Sequence, residues 1–300
     1  MIVAVLGAHG QLGSDLVRAI EASEGKVKLV PLTRKDLDVT DLAAIPKVLA
    51  RYEFDALVNC SSYHKTDEIE ARATEAFLTN AHAVLALAKA CKAKSAKFVH
   101  ISTDYVFDGE SRRPYIEGDA TGPINVYGSS KLFGEKLALR EYPDGTIIAR
   151  VASLFGTAGA SGKGGNFVEA ILRKAKDTGE VRVVDDIYMS PTSTADAAEV
   201  LLALLRNRAQ SGLYHVVNSG SASWYEFAKQ MAEETGLAAH VVATTSREYP
   251  TVAARPAYSV LANGKAAAIA GELPHWRDAL HRYLVAKGHT QPGAARAAGN

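Results

Sequence analysis

Ile2-Val3-Ala4-Val5-Leu6-Gly7-Ala8-His9-Gly10-Gln11-Leu12-Gly13 opens the chain, and its reading decides the fold. The first five residues form an apolar, largely β-branched run that reads as a strand. Residues 12–21 carry helical period, so the glycines fall where strand passes into helix. Glycine at such a junction lets the backbone approach a pyrophosphate whose charge faces the helix N-terminus. Gly7, His9, Gly10, Gln11, Leu12 and Gly13 are therefore candidate cofactor-binding residues, although the His9 side chain alone reads as a turn residue.

Working outward, similar apolar runs recur at 28–32, 56–60, 97–101, 146–151, 181–184 and 213–217. Helix-period segments at 42–52, 73–93, 127–140, 167–176 and 194–207 lie between them. Strands alternating with crossover helices imply a parallel sheet with helices on both faces, a doubly wound α/β (Rossmann) fold. Beyond about residue 219 the alternation fails. Residues 223–235 and 276–287 read as helices, and 237–275 as mostly irregular. Residues 1–156 and 181–218 are thus expected to form a dinucleotide-binding domain, and 157–180 with 219–287 a smaller substrate lobe. Trp224 and Trp276 read as anchors of that lobe, and 288–300 as a disordered tail or expression remnant.

The chain has 300 residues, 47% of them apolar, 22% charged, with a net charge of +1. That is enough to bury a full core and offers nothing to recruit nucleic acid or a membrane surface. Cys60 and Cys91 lie in apolar segments without metal or redox spacing, so they read as buried free thiols. No metal site is expected. The absence of a basic leader or of an apolar run near 20 residues points to a cytoplasmic protein.

The second strand ends in Thr33-Arg34-Lys35, where a fold preferring NAD would present a carboxylate to the ribose. Arg34 suits a 2′-phosphate instead, which favours NADP(H) over NAD(H), with Asp36 close enough to leave the preference open. Asp38 and Val39 are placed for the adenine amine. Asp38 equally reads as a cap for a helix starting near Asp41.

Two segments carry the chemistry: His100-Ile101-Ser102-Thr103-Asp104-Tyr105-Val106-Phe107-Asp108-Gly109 and Asn125-Val126-Tyr127-Gly128-Ser129-Ser130-Lys131. A hydride arriving at a carbonyl carbon leaves charge on the oxygen that a general acid must neutralise. Tyr127 is the candidate, and Lys131, one helical turn on, is the ammonium expected to stabilise its phenolate and reach the cofactor ribose. A hydroxyl at the strand end, from Thr103 or Ser102, would orient the substrate oxygen. Tyr-x-x-x-Lys occurs again at Tyr225/Lys229 and Tyr283/Lys287, but only the first pair follows such a strand.

With the three-residue glycine spacing, Asn59-Cys60-Ser61-Ser62-Tyr63, Asn80-Ala81 and the two segments above in view, the chain resembles extended short-chain dehydrogenases. More closely, it resembles dTDP-4-dehydrorhamnose reductases, from residue 1 to about 287. The resemblance implies a nucleotide-sugar substrate and a catalytic triad of Thr103, Tyr127 and Lys131. It implies cofactor contacts at Cys60, Ser61, Ser62, Tyr63 and Asn80, and a substrate site including Asp104, Tyr105, Ser153 and Asn166. Arg255 suits the substrate diphosphate by its bidentate geometry, ahead of Lys163. Asp104 is followed by Tyr105 where related dehydratases carry Glu, which argues for reduction over elimination. Ser153 stands where relatives commonly have tryptophan, and Ile187 and Met189 replace an expected glutamine and glycine, so the sugar is open. A homodimer is compatible with the chain. A metal-bridged one is not expected, since Asp278 is the only acid of the final helix. Alternatives are an epimerase or reductase of another sugar nucleotide, and a non-catalytic regulatory subunit like that of methionine adenosyltransferase.

Overall fold

In the computed structural model, which describes residues 1–159 and 165–291, strand β1 (Ile2–Leu6) lies inside the central sheet because both its faces are apolar. Val3 and Val5 join a core with Leu12, Leu16 and Ile20 of helix α1 (Gln11–Glu21). Ala4 and Leu6 join a second core with Val84, Leu87 and Ala88. Side chains alternate along a strand, so a run apolar at every position must be covered on both sides. Strands β2 (Lys28–Leu32), β3 (Ala56–Asn59), β4 (Lys97–Thr103) and β5 (Thr146–Val151) complete the sheet with Gly212–His215, in the order Gly212–His215, β5, β4, β3, β1, β2. Every pairing is parallel. This is the doubly wound α/β fold read from the sequence. Its strand order reverses at β1, which opens a crevice at the carboxyl ends of β1 and β3.

One expected strand lies elsewhere. Residues 181–184, assigned to the dinucleotide-binding part, belong to Glu180–Val184, which pairs in parallel with His240–Thr244 away from the central sheet. Only Val181 and Val183 are buried there, so the strand has one apolar face and suits a two-stranded ribbon. His240–Thr244 and helix Gly264–Ala270 are regular elements inside the stretch read as irregular. Around Phe155, Phe227 and the wholly buried Trp276, the helices Phe167–Thr178, Trp224–Thr235 and Trp276–Ala286 build a separate core. The expected tail begins too early at 288, because His289 donates its backbone N–H to Leu284 and pairs through Nε2 with Glu169 at 3.0 Å. Residues 292–300 and Lys163 lie outside the described residues.

The long helix expected at 73–93 is three pieces, with a π turn at Leu78–His82 between Ala73–Phe77 and Ala83–Ala93. Such insertions recur at functional sites, and this one carries Asn80. Helix Val126–Glu141 starts where Asn125 Oδ1 accepts from the Gly128 N–H at 2.7 Å. Glu135 fixes its far part to the sheet. Its carboxylate accepts from Arg150 Nε and Nη2 at 2.9 and 2.7 Å and from the Ser102 hydroxyl, all three residues being buried. Glu135→Ala strands a buried guanidinium and is expected to cost about 3–5 kcal/mol, read as a lowered urea midpoint. Glu135→Leu combined with Arg150→Met should recover most of that loss.

Candidate active site

The crevice is a cleft of about 760 Å³. Its walls are the glycine turn (Gly7, His9, Gly10, Gln11, Leu12), the end of β2 (Thr33, Arg34, Lys35), the loop after β3 (Cys60, Ser61, Ser62), the end of β4 with Asp104 and Tyr105, and Tyr127 with Lys131. Ser153, Leu154 and Trp224 face them.

Gly7 takes φ +83°, a left-handed conformation open to glycine, and the Gly10 N–H donates to its carbonyl at 2.9 Å. Helix α1 starts without a side-chain cap, which leaves its first-turn N–H groups to a ligand in the cleft. The donor set and shape fit a dinucleotide pyrophosphate. Gly13 serves packing instead. A Cβ there would stand 2.1 Å from the Gly7 carbonyl oxygen, so its absence lets the helix sit against the turn.

Thr103, Tyr127 and Lys131 meet at the floor. Burial pushes the Tyr127 hydroxyl up to about 12, against the opposing pull of the Thr103 and Ser62 hydroxyls beside it. Thr103 Oγ1 donates to Asp104 Oδ1 at 3.0 Å and accepts from the Tyr105 N–H at 3.2 Å. Ser102 has its hydroxyl committed to Glu135, which leaves Thr103 as the strand-end hydroxyl facing Tyr127. Burial raises Asp104 to about 6, opposed by hydroxyls of Ser259 and Thr103. Lys131 departs from expectation. Its Nζ donates to the Ile101 carbonyl at 2.6 Å and lies 3.2 Å from His100 Nε2. The Ile101 carbonyl on β4 holds the amine, and the upward shift of the phenol follows its burial.

Comparison with known proteins gives the family of the chain. The family model of the RmlD substrate binding domain matches residues 1–288. The chain belongs to that family, the dTDP-4-dehydrorhamnose reductases. It is 39% identical to the spore coat polysaccharide biosynthesis protein SpsK of Bacillus subtilis, covering 94% of this chain and 96% of the relative. It is 39% identical to a dTDP-4-dehydrorhamnose reductase of Streptomyces griseus over 92% of this chain and 90% of the relative. A Bacillus anthracis dTDP-4-dehydrorhamnose reductase solved in complex with NADP superposes with a TM-score of 0.88 at 32% identity, covering 95% of this chain and 99% of that one. The RmlD-family chain is thus an NAD(P)-dependent oxidoreductase.

Several residues expected at the reductase site stand off the cleft wall. Asp38 holds a turn, accepting from the Thr40 N–H and hydroxyl at 3.0 and 2.7 Å and from Arg34 at 3.1 Å. Val39 belongs to the core. Tyr63 donates its hydroxyl to Glu68 at 2.6 Å, and Asn80 clamps the Tyr63 backbone N–H and carbonyl, each at 2.9 Å, so both shape the loop after β3 from behind. Asn166 caps helix Phe167–Thr178 and donates to Gly156 and Tyr283. Arg255 is forked onto Asp67 at 3.0 and 2.8 Å, tying the lobe to the segment after β3. Ile187 and Met189 lie buried in the lobe and are not among the residues lining the cleft. The other two Tyr-x-x-x-Lys pairs sit on lobe helices, where Tyr283 donates to Glu169.

Trp224 is the residue that sequence reading missed. Its ring packs on Phe167 at 4.5 Å and Trp224 also lines the cleft. The signal was available in Ser223 and Glu226, a capping box that starts a helix on the tryptophan itself. Among the described residues no group of His, Cys, Asp and Glu could hold a metal ion, and no helix is long and apolar enough to cross a membrane.

Gly128 sets the distance between the two halves of the site, since a Cβ there would stand 2.0 Å from the Tyr105 carbonyl oxygen. Gly128→Ala should push Tyr127 off Thr103 and lower kcat by about 10²-fold, the cost of a misplacement near 1 Å. Circular dichroism should show the fold retained.

Proposed function

We propose that this family member reduces the 4-keto group of a nucleotide-linked 4-keto-6-deoxy sugar, dTDP-4-dehydrorhamnose foremost, with Tyr127 as general acid and NADPH as reductant. The observation that carries the reading is that Tyr127 and Thr103 line one cleft with the glycine turn, their hydroxyls close enough to influence each other. A bound reduced nicotinamide supplies hydride to the carbonyl carbon. Thr103 and Tyr127 hold the carbonyl oxygen, and Tyr127 gives it a proton as charge develops there. A phenol whose acidity constant lies near 12 stays protonated through the neutral range, as a donor must. After transfer, the Ser62 and Thr103 hydroxyls can turn from Asn80 and Asp104 to donate to the phenolate.

The end of β2 supports NADP(H). Arg34 and Lys35 line the cleft, and the Asp36 carboxylate is turned back onto the Thr33 N–H and hydroxyl at 2.8 and 2.7 Å. Arg34 is held only by an exposed ion pair with Asp38, worth little against a phosphate. Trp224 offers a flat apolar face of the kind on which a sugar or base packs, which makes up for the small Ser153. Asp104 and Tyr105, beside the catalytic pair, suit contacts to sugar hydroxyls.

The test is oxidation of NADPH and NADH against dTDP-, UDP- and GDP-linked 4-keto-6-deoxy sugars, with one cofactor consumed per product; an epimerase would consume none. Tyr127→Phe should lower kcat by about 10²–10⁴-fold with NADPH affinity kept, and full turnover by that variant would overturn the assignment. Replacing Arg34 and Lys35 together by alanine should weaken NADPH binding by about tenfold or more while leaving NADH binding unchanged, as loss of charge-assisted phosphate contacts demands. Fluorescence titration reads both affinities.

A further inference from the structure

Behind the cleft, a row of buried polar groups fixes a tautomer. Asn59 Oδ1 accepts from the Ser61 backbone N–H at 3.0 Å and from the Ser61 hydroxyl at 2.5 Å. A backbone N–H can only donate, so this contact orients the amide. Its Nδ2 then faces His100 Nδ1 at 3.2 Å. An amide NH₂ also only donates, which makes Nδ1 the acceptor and places the proton of the neutral ring on Nε2. A doubly protonated ring would set N–H against N–H in a site where His100 is wholly buried. Lys131 Nζ lies 3.2 Å from that Nε2. An ammonium has no lone pair to receive Nε2–H, whereas an amine has one and keeps an N–H for the Ile101 carbonyl at 2.6 Å.

We propose that His100 is a positioning residue that sets the charge of Lys131, its Nε2–H holding the lysine as a neutral amine against β4 until cofactor binding draws the lysine into the cleft. The inference deepens the reductase reading and rests on it for the ligand. The other ionisable groups facing Lys131 do not oppose it strongly. Cys60 is a thiol raised to about 12 by burial, Tyr127 is protonated, and Glu135 favours the ammonium but has both oxygens committed to Arg150. Desolvation acts in the same direction as the histidine, lowering Lys131 to about 7. When Nζ leaves His100 and Ile101 for hydroxyl acceptors in the cleft, its lone pair takes one proton from solvent. Nothing is oxidised or reduced. Above neutral pH, cofactor binding is thus coupled to uptake of one proton. Ser61, which fixes the tautomer through Asn59, lies in the cleft wall itself.

The free protein tests the idea without turnover. Nitrogen-15 shifts of the His100 ring should report the Nε2–H tautomer, and carbon-13 labelled lysine should show Lys131 titrating near neutrality. His100→Gln offers the ammonium an acceptor, and Asn59→Asp moves the ring proton to Nδ1. Each should raise the Lys131 midpoint by about one pH unit or more, because hydrogen bonding to the charged form favours it. Calorimetry of NADPH binding near pH 8, in buffers of different ionisation enthalpy, should give uptake of about one proton for the parent and less for both variants. An Nδ1–H tautomer in the parent, or a Lys131 midpoint unmoved in the folded variants, would overturn the proposal. Absence of NADPH binding to the parent would instead overturn the cofactor reading and leave the lysine titration standing.

Discussion

The groups proposed to do the chemistry hang from one carboxylate. Glu135 is buried between β4 and β5, and its oxygens receive Arg150 and Ser102 from those strands. Tyr127, Lys131 and Glu135 are four residues apart along one helix, so they share a face. Fixing Glu135 on the sheet therefore sets the depth of the other two, Lys131 against Ile101 and Tyr127 against Thr103. Gly134 and Gly128 permit the approach, since a Cβ at 134 would stand 2.1 Å from the Asn80 carbonyl oxygen. A buried ion pair adds little net stability, but one with matched hydrogen bonds fixes geometry.

The cleft joins two kinds of wall. The sheet side presents backbone N–H groups, hydroxyls and a lysine on rigid elements, whereas the lobe side presents an indole from the start of a capped helix. The Trp224 backbone N–H donates to the Ile187 carbonyl within the lobe, and Arg255 crosses to Asp67, fastening the lobe to the segment after β3. The change at Ile187 thus bears on the cleft through its backbone rather than its side chain.

Sheet membership was legible wherever a strand is apolar on both faces. The runs at 2–6, 56–60 and 146–151 read as strands and supply the sheet strands Ile2–Leu6, Ala56–Asn59 and Thr146–Val151. The run at 181–184 alternates Val, Arg and Val, a one-faced pattern that separates it from the others and that its apolar residues alone do not reveal. The juxtaposition of Thr103 and Tyr127 in one cleft was legible because a hydroxyl at a strand end and a tyrosine opening the next helix have fixed places in this topology. Asn80, Asn166 and Arg255 were recognised as important residues, but each also bonds to partners 10 to 188 positions away in the chain. No local pattern says whether such a side chain faces a ligand or braces a loop. The orientation of Lys131 was hidden for the same reason, being decided by a carbonyl and an imidazole on β4.

The placement of the two tryptophans makes the protein its own optical gauge. Trp276 is sealed in the lobe, its indole N–H on the Ser221 carbonyl, while Trp224 borders the cleft. Emission from the first follows the integrity of the lobe, and emission from the second follows whatever occupies the space beside it, so unfolding and occupancy give separable signals without any added dye.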